Sequence, residues 1–142
     1  MKAQILEATT LHAEAITQLL IQMGYPDQVE VVAQRIEENQ RSGYKIFVAE
    51  IEKQIVGFIS VHTYTYLHAA GLMGRIMTFC VDEATRNTGI GTQLLTHAEN
   101  YLVNQGCIKI ELNCNNRRTE THQFYKQRGY TQTSLHFVKK LI

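Results

Sequence analysis

The segment Arg86-Asn87-Thr88-Gly89-Ile90-Gly91 constrains the fold of this chain more than any other part of it. It follows an apolar, strand-like run from Ile76 to Val81 and opens an amphipathic helical pattern that runs to Leu102. Glycine lets a backbone approach a ligand closely, and the first N–H groups of a helix have no partner within the helix. Because the helix dipole adds partial positive charge there, the segment predicts a strand-to-helix turn that binds phosphate or pyrophosphate.

Two other phosphate-binding motifs are excluded. A Walker-type loop needs a Gly-Lys pair, and the chain contains none. A dinucleotide fingerprint needs another glycine three residues after Gly91, where this chain has Leu94. The remaining pattern is R-x-x-G-x-G. On these six residues alone, an ordinary strand-to-helix turn with glycines for packing is an equal alternative.

The length and charge of the chain limit its classes of function. A chain of 142 residues predicts one domain, residues 1–142. A formal net charge of +1 argues against a nucleic-acid partner, and the local basic group is interpreted as a solvated helix surface. That group consists of Arg117, Arg118, Lys126 and Arg128. Without a signal-like start or a membrane-length apolar run, we expect a cytoplasmic protein with no membrane partner.

The cysteines and histidines predict no metal site. Cys80, Cys107 and Cys114 lack metal-ligand spacing, and their odd number does not suit a disulfide framework. The six histidines are scattered along the chain. We therefore expect free thiols in a reducing compartment and no bound metal.

Apolar periodicity and turn residues predict the element order βααβββαβαββ. Strands are expected at about residues 3–8, 45–51, 55–66, 72–81 and 108–112, with two short strands within 130–142. Helices are expected at about residues 11–23, 29–42, 90–105 and 120–128. The fold class is α/β (α+β), with four helices on a mixed, largely antiparallel, twisted sheet of about seven strands.

A second motif lies on the last predicted helix. The segment Phe124-Tyr125-Lys126-Gln127-Arg128-Gly129-Tyr130 resembles the F-Y-x-x-x-G-F/Y pattern of the GNAT superfamily, the acyl-CoA-dependent N-acyltransferases. The R-x-x-G-x-G segment and the element order resemble the same superfamily along nearly the whole chain. Taken alone, the Phe-Tyr pair would be read as aromatic packing between helix and sheet.

The resemblance implies acetyl-CoA as cosubstrate, without a metal ion. Backbone N–H groups from Thr88 to Thr92 would hold its pyrophosphate, and its pantetheine arm would lie between the fourth and fifth strands. The residues implied to bind the cofactor are Phe79, Cys80, Val81, Arg86, Thr88, Gly89, Ile90, Gly91, Thr92 and Asn113.

The resemblance further implies direct attack of a neutral amine on the thioester. A backbone N–H near Phe79 would stabilise the oxyanion. Tyr125 would protonate the departing thiolate, since a phenol is protonated at neutral pH. Tyr125 is thus the expected catalytic residue.

The general base remains unassigned, because the fourth strand lacks the carboxylate that many members carry there. Glu111, His68 and Asp82 are candidates, as is a water chain held by Tyr64 and Tyr66. We expect Glu111 to face solvent and Asp82 to start a turn.

The acceptor site is expected near residues 24–26, Tyr64, Tyr66, His68 and a last hairpin around His136. Tyrosines suit a small primary amine with an apolar part. A protein lysine or N-terminal acetyltransferase and a non-catalytic acyl-CoA sensor are the alternatives. A homodimer is left open.

Overall fold

The computed structural model describes residues 1–116 and 118–142, and the chain divides into two compact units, residues 1–111 and 112–142. The strands are β1 Gln4–Glu7, β2 Lys45–Ile51, β3 Gln54–Thr65, β4 Leu72–Val81 and β5 Cys107–Leu112. The helices are α1 Ala13–Met23, α2 Val29–Arg41, α3 Ile90–Asn104 and α4 Thr119–Gln127. Short 3₁₀ turns lie at Thr10–His12 and Glu83–Thr85. The four predicted helices and the first five strands are confirmed.

The sheet has the order β1-β2-β3-β4-β5, and its first four strands pair antiparallel. Residues 52–53 join β2 to β3, and both take positive φ angles (49° and 65°), as a tight hairpin turn requires. Residues 46–49 of β2 are all buried, which is typical of a strand covered on both faces.

Helices α1 and α2 cover one face of this sheet. Their apolar stripes form a buried cluster with alternating residues of β2, β3 and β4. The helix residues of this cluster are Ala13, Ile16, Leu19, Val32 and Ile36, and its strand residues include Ile46, Val48, Phe58 and Cys80.

Helix α3 packs closely against two glycines of the sheet. A Cβ atom on Gly57 would lie 2.9 Å from Cδ1 of Leu94, and one on Gly74 would lie 2.8 Å from Cδ1 of Leu102. Leu94 and Leu102 are fully buried. The absence of a side chain at these two glycines therefore allows α3 to pack close to β3 and β4, which also positions the start of α3.

The second unit contains α4 but neither of the two strands expected within residues 130–142. The structure assigns no strand there, and residues 131–142 are exposed throughout. Among the described residues the sheet thus has five strands instead of about seven. The composition of this segment favours a strand, but a strand exists only when it pairs with another, and composition cannot supply the partner.

No helix in the described part of the chain is long and apolar enough to cross a membrane.

Candidate active site

The turn between β4 and α3 is built largely from backbone groups. Oδ1 of Asp82 accepts a hydrogen bond from the amide of Ala84 (3.0 Å), which starts the 3₁₀ turn. The hydroxyl of Thr88 donates to the carbonyl of Thr85. Asp82 therefore starts the turn, as the sequence predicted. Its carboxylate caps the 3₁₀ turn by this hydrogen bond.

Gly89 is the N-cap of α3. Its φ of +89° is a left-handed conformation that favours glycine, and Asn87 just before it has φ +63°. No side chain caps the helix at this residue. Gly89 itself is exposed, and a Cβ atom there would come no closer than 3.9 Å to Gln93. The start of α3 is thus accessible to solvent. The groups that it presents there are backbone N–H groups.

The remaining predicted cofactor residues of the first unit lie at the end of β4 and in the turn. Nε of Arg86 donates to the carbonyl of Val81 (3.4 Å), so this exposed side chain folds back toward β4. Phe79, Cys80 and Val81 pair with residues 57–59 of β3. Cys80 belongs to the buried core, and its thiol donates to the carbonyl of Leu19 (3.5 Å). Any contact of Cys80 with a cofactor must therefore use its backbone.

A β-bulge interrupts β4 just before these residues. Ser60 pairs with Thr78, but Val61 pairs with Ile76, so Met77 is the extra residue in β4. Met77 is 44% exposed, whereas every other residue of β4 is buried or half-buried. Bulges re-aim side chains and interrupt pairing, and they are common beside active sites. Nothing in the local sequence indicates this bulge.

The structure brings Glu111 together with Tyr64 and Tyr66. Oε1 of Glu111 accepts hydrogen bonds from the hydroxyls of Tyr64 (2.7 Å) and Tyr66 (2.8 Å), and Oε2 lies 3.0 Å from the Tyr66 hydroxyl. Glu111 is half-buried and does not simply face solvent, so that expectation was wrong. The Tyr-x-Tyr spacing predicts that Tyr64, near the end of β3, and Tyr66, just after it, point to the same side of the extended chain. The partner on β5 is 45 residues away and left no local signal.

These contacts keep Glu111 ionised. The hydrogen bond from Tyr64 is the largest cause that lowers the pKa of Glu111. The hydrogen bond from Tyr66 and the charges of Lys109 and Arg75 act in the same direction, while burial opposes them. The pKa of Tyr64 is raised, first by burial and then by its hydrogen bonds to Tyr66 and Glu111. The cluster therefore presents a carboxylate beside protonated phenols, and the lowered pKa makes Glu111 a weak general base.

Aromatic and basic groups extend this cluster. The Tyr66 and His68 rings lie 4.7 Å apart between centroids, and the Tyr64 and Tyr66 rings lie 5.3 Å apart in an edge-on arrangement. Arg75 acts on both groups, because it lowers the pKa of Tyr64 and the pKa of Glu111. We name the set of Tyr64, Tyr66, Arg75 and Glu111 the tyrosine–carboxylate cluster. Arg75 precedes Met77 by two residues, about 7 Å along a strand, so the cluster adjoins the bulge.

The second unit holds Tyr125 on α4. Tyr125 is buried, and its ring lies 5.5 Å from that of Phe124 and 5.5 Å from that of Tyr130. Burial raises the pKa of Tyr125 to about 12, with Cys114 acting in the same direction and Arg118 against it. The phenol is therefore fully protonated at neutral pH. Its role stays a prediction.

Asn113 follows β5 and lies in the second unit. Its side-chain amide is 3.1 Å from Nδ1 of His136. Residues 130–142 form no hairpin, so the hairpin around His136 that was expected to border the acceptor site is absent.

Arg117 lies outside the described residues. The guanidinium of Arg128 lies 3.7 Å from the centroid of the Phe124 ring, and its Nη1 donates to the Phe124 carbonyl (2.9 Å).

In the described ranges, no three His, Cys, Asp or Glu side chains converge as a metal site. None of the three cysteines forms a disulfide.

Solved structures share this fold. A transcriptional regulator from Bacillus halodurans matches with a TM-score of 0.90 and 22% identity, over 99% of this chain and 100% of that one. An aminoglycoside N-acetyltransferase solved in complex with CoA matches with a TM-score of 0.86 and 17% identity, over 99% of this chain and 96% of that one. At these identities the similarity establishes the fold alone.

Sequence comparison then identifies the family. The acetyltransferase (GNAT) family model matches residues 13–130, most of the chain. This chain therefore belongs to the acetyltransferase (GNAT) family, whose members are acetyl-CoA-dependent N-acetyltransferases. An aminoalkylphosphonate N-acetyltransferase of Salmonella typhimurium is 38% identical over 88 residues, which are 62% of this chain and 57% of that protein. The match thus spans little more than half the length of that relative.

Proposed function

We propose that this protein transfers the acetyl group of acetyl-CoA to the primary amine of a small molecule. The amine attacks the thioester directly, so no acetyl-enzyme forms. The exposed glycine N-cap of α3 after the turn carries the proposal, since a 15-residue helix presents its first amides there with no capping side chain. Those amides and the helix dipole suit the pyrophosphate of CoA without a metal ion.

The cofactor would run from this turn along the end of β4. Backbone N–H groups of residues 88–92 hold the pyrophosphate, and Arg86 adds positive charge. Phe79, Cys80 and Val81 contact the pantetheine arm through their backbones, and Asn113 contributes from the end of β5. The bulge at Met77 lies directly before this part of β4, and in this proposal a backbone N–H near Phe79 donates to the thioester oxygen.

The tyrosine–carboxylate cluster is the proposed acceptor site. The ionised Glu111 attracts the ammonium form and then accepts a hydrogen bond from the neutral amine. The faces of Tyr64 and Tyr66 contact its carbon skeleton, and aromatic faces also favour a cation. Arg75 suits an anionic group on the acceptor, which makes amines with a phosphonate or carboxylate the first class to test. The relative that acts on aminoalkylphosphonates supports the same choice.

The proposed chemistry needs three proton steps. The ammonium loses one proton to solvent before attack, and no side chain is assigned as its base. The C–N bond forms first and leaves negative charge on the thioester oxygen, the nitrogen releases its second proton to solvent, and the C–S bond then breaks to release the CoA thiolate. Tyr125 donates a proton to the CoA thiolate and is reprotonated from solvent.

The test is an acetylation screen that detects release of the CoA thiol. Its panel contains aminoalkylphosphonates, amino acids, an aminoglycoside, neutral alkylamines and peptides with a free lysine or N-terminus. We expect turnover of small amines, fastest for those with an anionic group, and equal rates with and without chelator.

Three results would contradict the proposal. Turnover of peptides alone would point to a protein acetyltransferase. CoA binding without turnover of any amine would point to a sensor. Activity lost in chelator and restored by Mg²⁺ or Zn²⁺ would reject the metal-free site.

A further inference from the structure

The side chain of Gln22 joins helix α1 to the start of the turn between β4 and α3. Its Oε1 accepts a hydrogen bond from the amide of Glu83 (3.0 Å), and its Nε2 donates to Oδ1 of Asp82 (3.3 Å). A primary amide carries an acceptor and donors side by side, so one side chain satisfies an N–H group and a carboxylate oxygen together. The reversed amide would place donor against donor and acceptor against acceptor, which fixes this orientation.

These bonds hold the first residues of a chain of hydrogen bonds that leads toward the N-cap of α3. Oδ1 of Asp82 also accepts the amide of Ala84 (3.0 Å), and the carbonyl of Asp82 accepts the hydroxyl of Thr85 (3.2 Å). The carbonyl of Thr85 in turn accepts the hydroxyl of Thr88, the residue before the N-cap. A contact on Asp82 therefore influences the turn over most of its length.

Helix α1 gives this contact a fixed point. Leu19, about one turn before Gln22, is 2% exposed, and its carbonyl accepts the thiol of Cys80 on β4 (3.5 Å). On the side of the sheet, the amide of Asp82 donates to the carbonyl of Val56 on β3 (2.7 Å). The start of the turn is therefore held between helix and sheet, and Gln22 supplies the contact from the helix.

The turn contains backbone conformations that need support from outside it. Asn87 and Gly89 have φ angles of +63° and +89°, and this left-handed region is unfavourable for a residue with a Cβ atom such as Asn87. Strained backbone persists only where the surrounding structure enforces it. Residues 83–84 and 86–87 are exposed, so burial contributes little to holding them. Hydrogen bonds from neighbouring elements must therefore do so.

We propose that Gln22 is a positioning residue for the cofactor. It holds the free turn in the conformation whose backbone N–H groups, from residues 88 to 92, fit the pyrophosphate of CoA. This inference rests on the proposed function of the turn. Gln22 acts through Asp82 and Glu83, and it does not touch the cofactor. When the binding conformation is populated only in part, the apparent affinity falls by that fraction, so a less ordered turn binds CoA more weakly.

Titration calorimetry with CoA tests the role of Gln22. Gln22→Met keeps the length of the side chain and removes both hydrogen bonds. It should raise the Kd of CoA about 10-fold, which corresponds to about one tenth of the free turns in the binding conformation. The KM for acetyl-CoA should rise by the same factor, with kcat unchanged within about twofold.

The matched control is Gln18→Met. Gln18 is exposed on α1 four residues before Gln22, about one helical turn away on the same face. This variant makes the same chemical change on the same helix, and it should bind CoA like the wild type.

Hydrogen exchange shows whether the effect comes from the turn. In the CoA-free Gln22→Met variant, amides of residues 83–89 should exchange faster than in the wild type, and saturating CoA should narrow this difference. Exchange in α1 and the melting temperature should match those of Gln18→Met. Such a match excludes a general loss of structure as the cause of weaker binding.

Two results with Gln22→Met would overturn the inference while the proposed function stands. One is an affinity for CoA equal to that of the wild type or of Gln18→Met. The other is a loss of affinity without faster exchange in the turn. A wild type that does not bind CoA would instead reject the proposed function of the turn and the inference with it.

Discussion

The turn before α3 and the tyrosine–carboxylate cluster lie in the same unit of the chain but use different atoms. The turn presents backbone N–H groups at Gly89, where a side chain would add strain. The cluster presents side-chain oxygens. The hydroxyls of Tyr64 and Tyr66 each lie within 3.0 Å of a carboxylate oxygen of Glu111. A backbone site suits a cofactor whose phosphates are constant, whereas a side-chain site can change with the acceptor.

This difference predicts separable effects of mutation. Changes in the turn should alter cofactor affinity, and changes in the cluster should alter amine recognition with cofactor affinity intact. Tyr125, in the second unit, should affect turnover alone. Four experiments test this separation, from the largest expected effect to the smallest.

Tyr125→Phe should lower kcat by about 10²–10⁴-fold, because it removes the proposed proton donor and keeps the ring. CoA affinity and melting temperature should stay close to wild type. The matched control is Tyr130→Phe, which removes the hydroxyl of the neighbouring ring, 5.5 Å away, and should retain activity. Steady-state kinetics and calorimetry on the same preparations decide the role. A fully active Tyr125→Phe enzyme would show that another group protonates the thiolate.

Gly89→Val should weaken CoA binding about 100-fold, because the loss of one or two charge-assisted amide contacts costs about 3 kcal/mol. The left-handed φ also strains any L side chain here. Gly43→Val is the matched control, with φ +87° and no atom within 4 Å of its added Cβ. Both variants should lose stability, but only Gly89→Val should lose affinity in titration calorimetry. Equal CoA affinity in the two folded variants would reject the turn as the pyrophosphate site.

Glu111→Gln should lower kcat/KM for the amine about 10- to 30-fold, since a hydrogen bond to a charged group contributes about 1.5–2 kcal/mol. The CoA dissociation constant should not change. Glu50→Gln, on β2 of the same sheet, is the control and should leave both constants unchanged. If Glu111→Gln weakened CoA instead of the amine, the proposed division between turn and cluster would be wrong.

The smallest effect is a pH-dependent difference in stability. The folded pKa of Glu111 is lowered from 4.5, so its contribution is present above this value and is lost as the pH falls through the folded pKa. Wild type should therefore melt on the order of 1–2 °C above Glu111→Gln at pH 7, and the gap should close toward pH 3. Thermal melts across pH 3 to 8 measure it. A gap that widens in acid would contradict the assigned direction of the pKa shift.

Local sequence was sufficient for the four helices, the first five strands and the turn. The helices follow from apolar stripes and glycine stops, and the turn follows from Gly89 because a left-handed N-cap has a direct residue signature. Asp82 as the first residue of the turn was predicted for the same reason, since its carboxylate bonds an amide two residues ahead. Such features depend on residues a few positions apart, which the sequence displays directly.

Tertiary structure alone decided the rest. The bulge at Met77 depends on the register between β3 and β4, and Glu111 meets Tyr64 and Tyr66 only because sheet pairing joins positions 45 or more apart. The two strands expected within residues 130–142 did not form, although the composition favours them, because a strand needs a pairing partner and composition does not name one. The sequence by itself thus determined the four helices, the first five strands and the turn before α3, and long-range pairing decided which side chains meet and which segment stays unpaired.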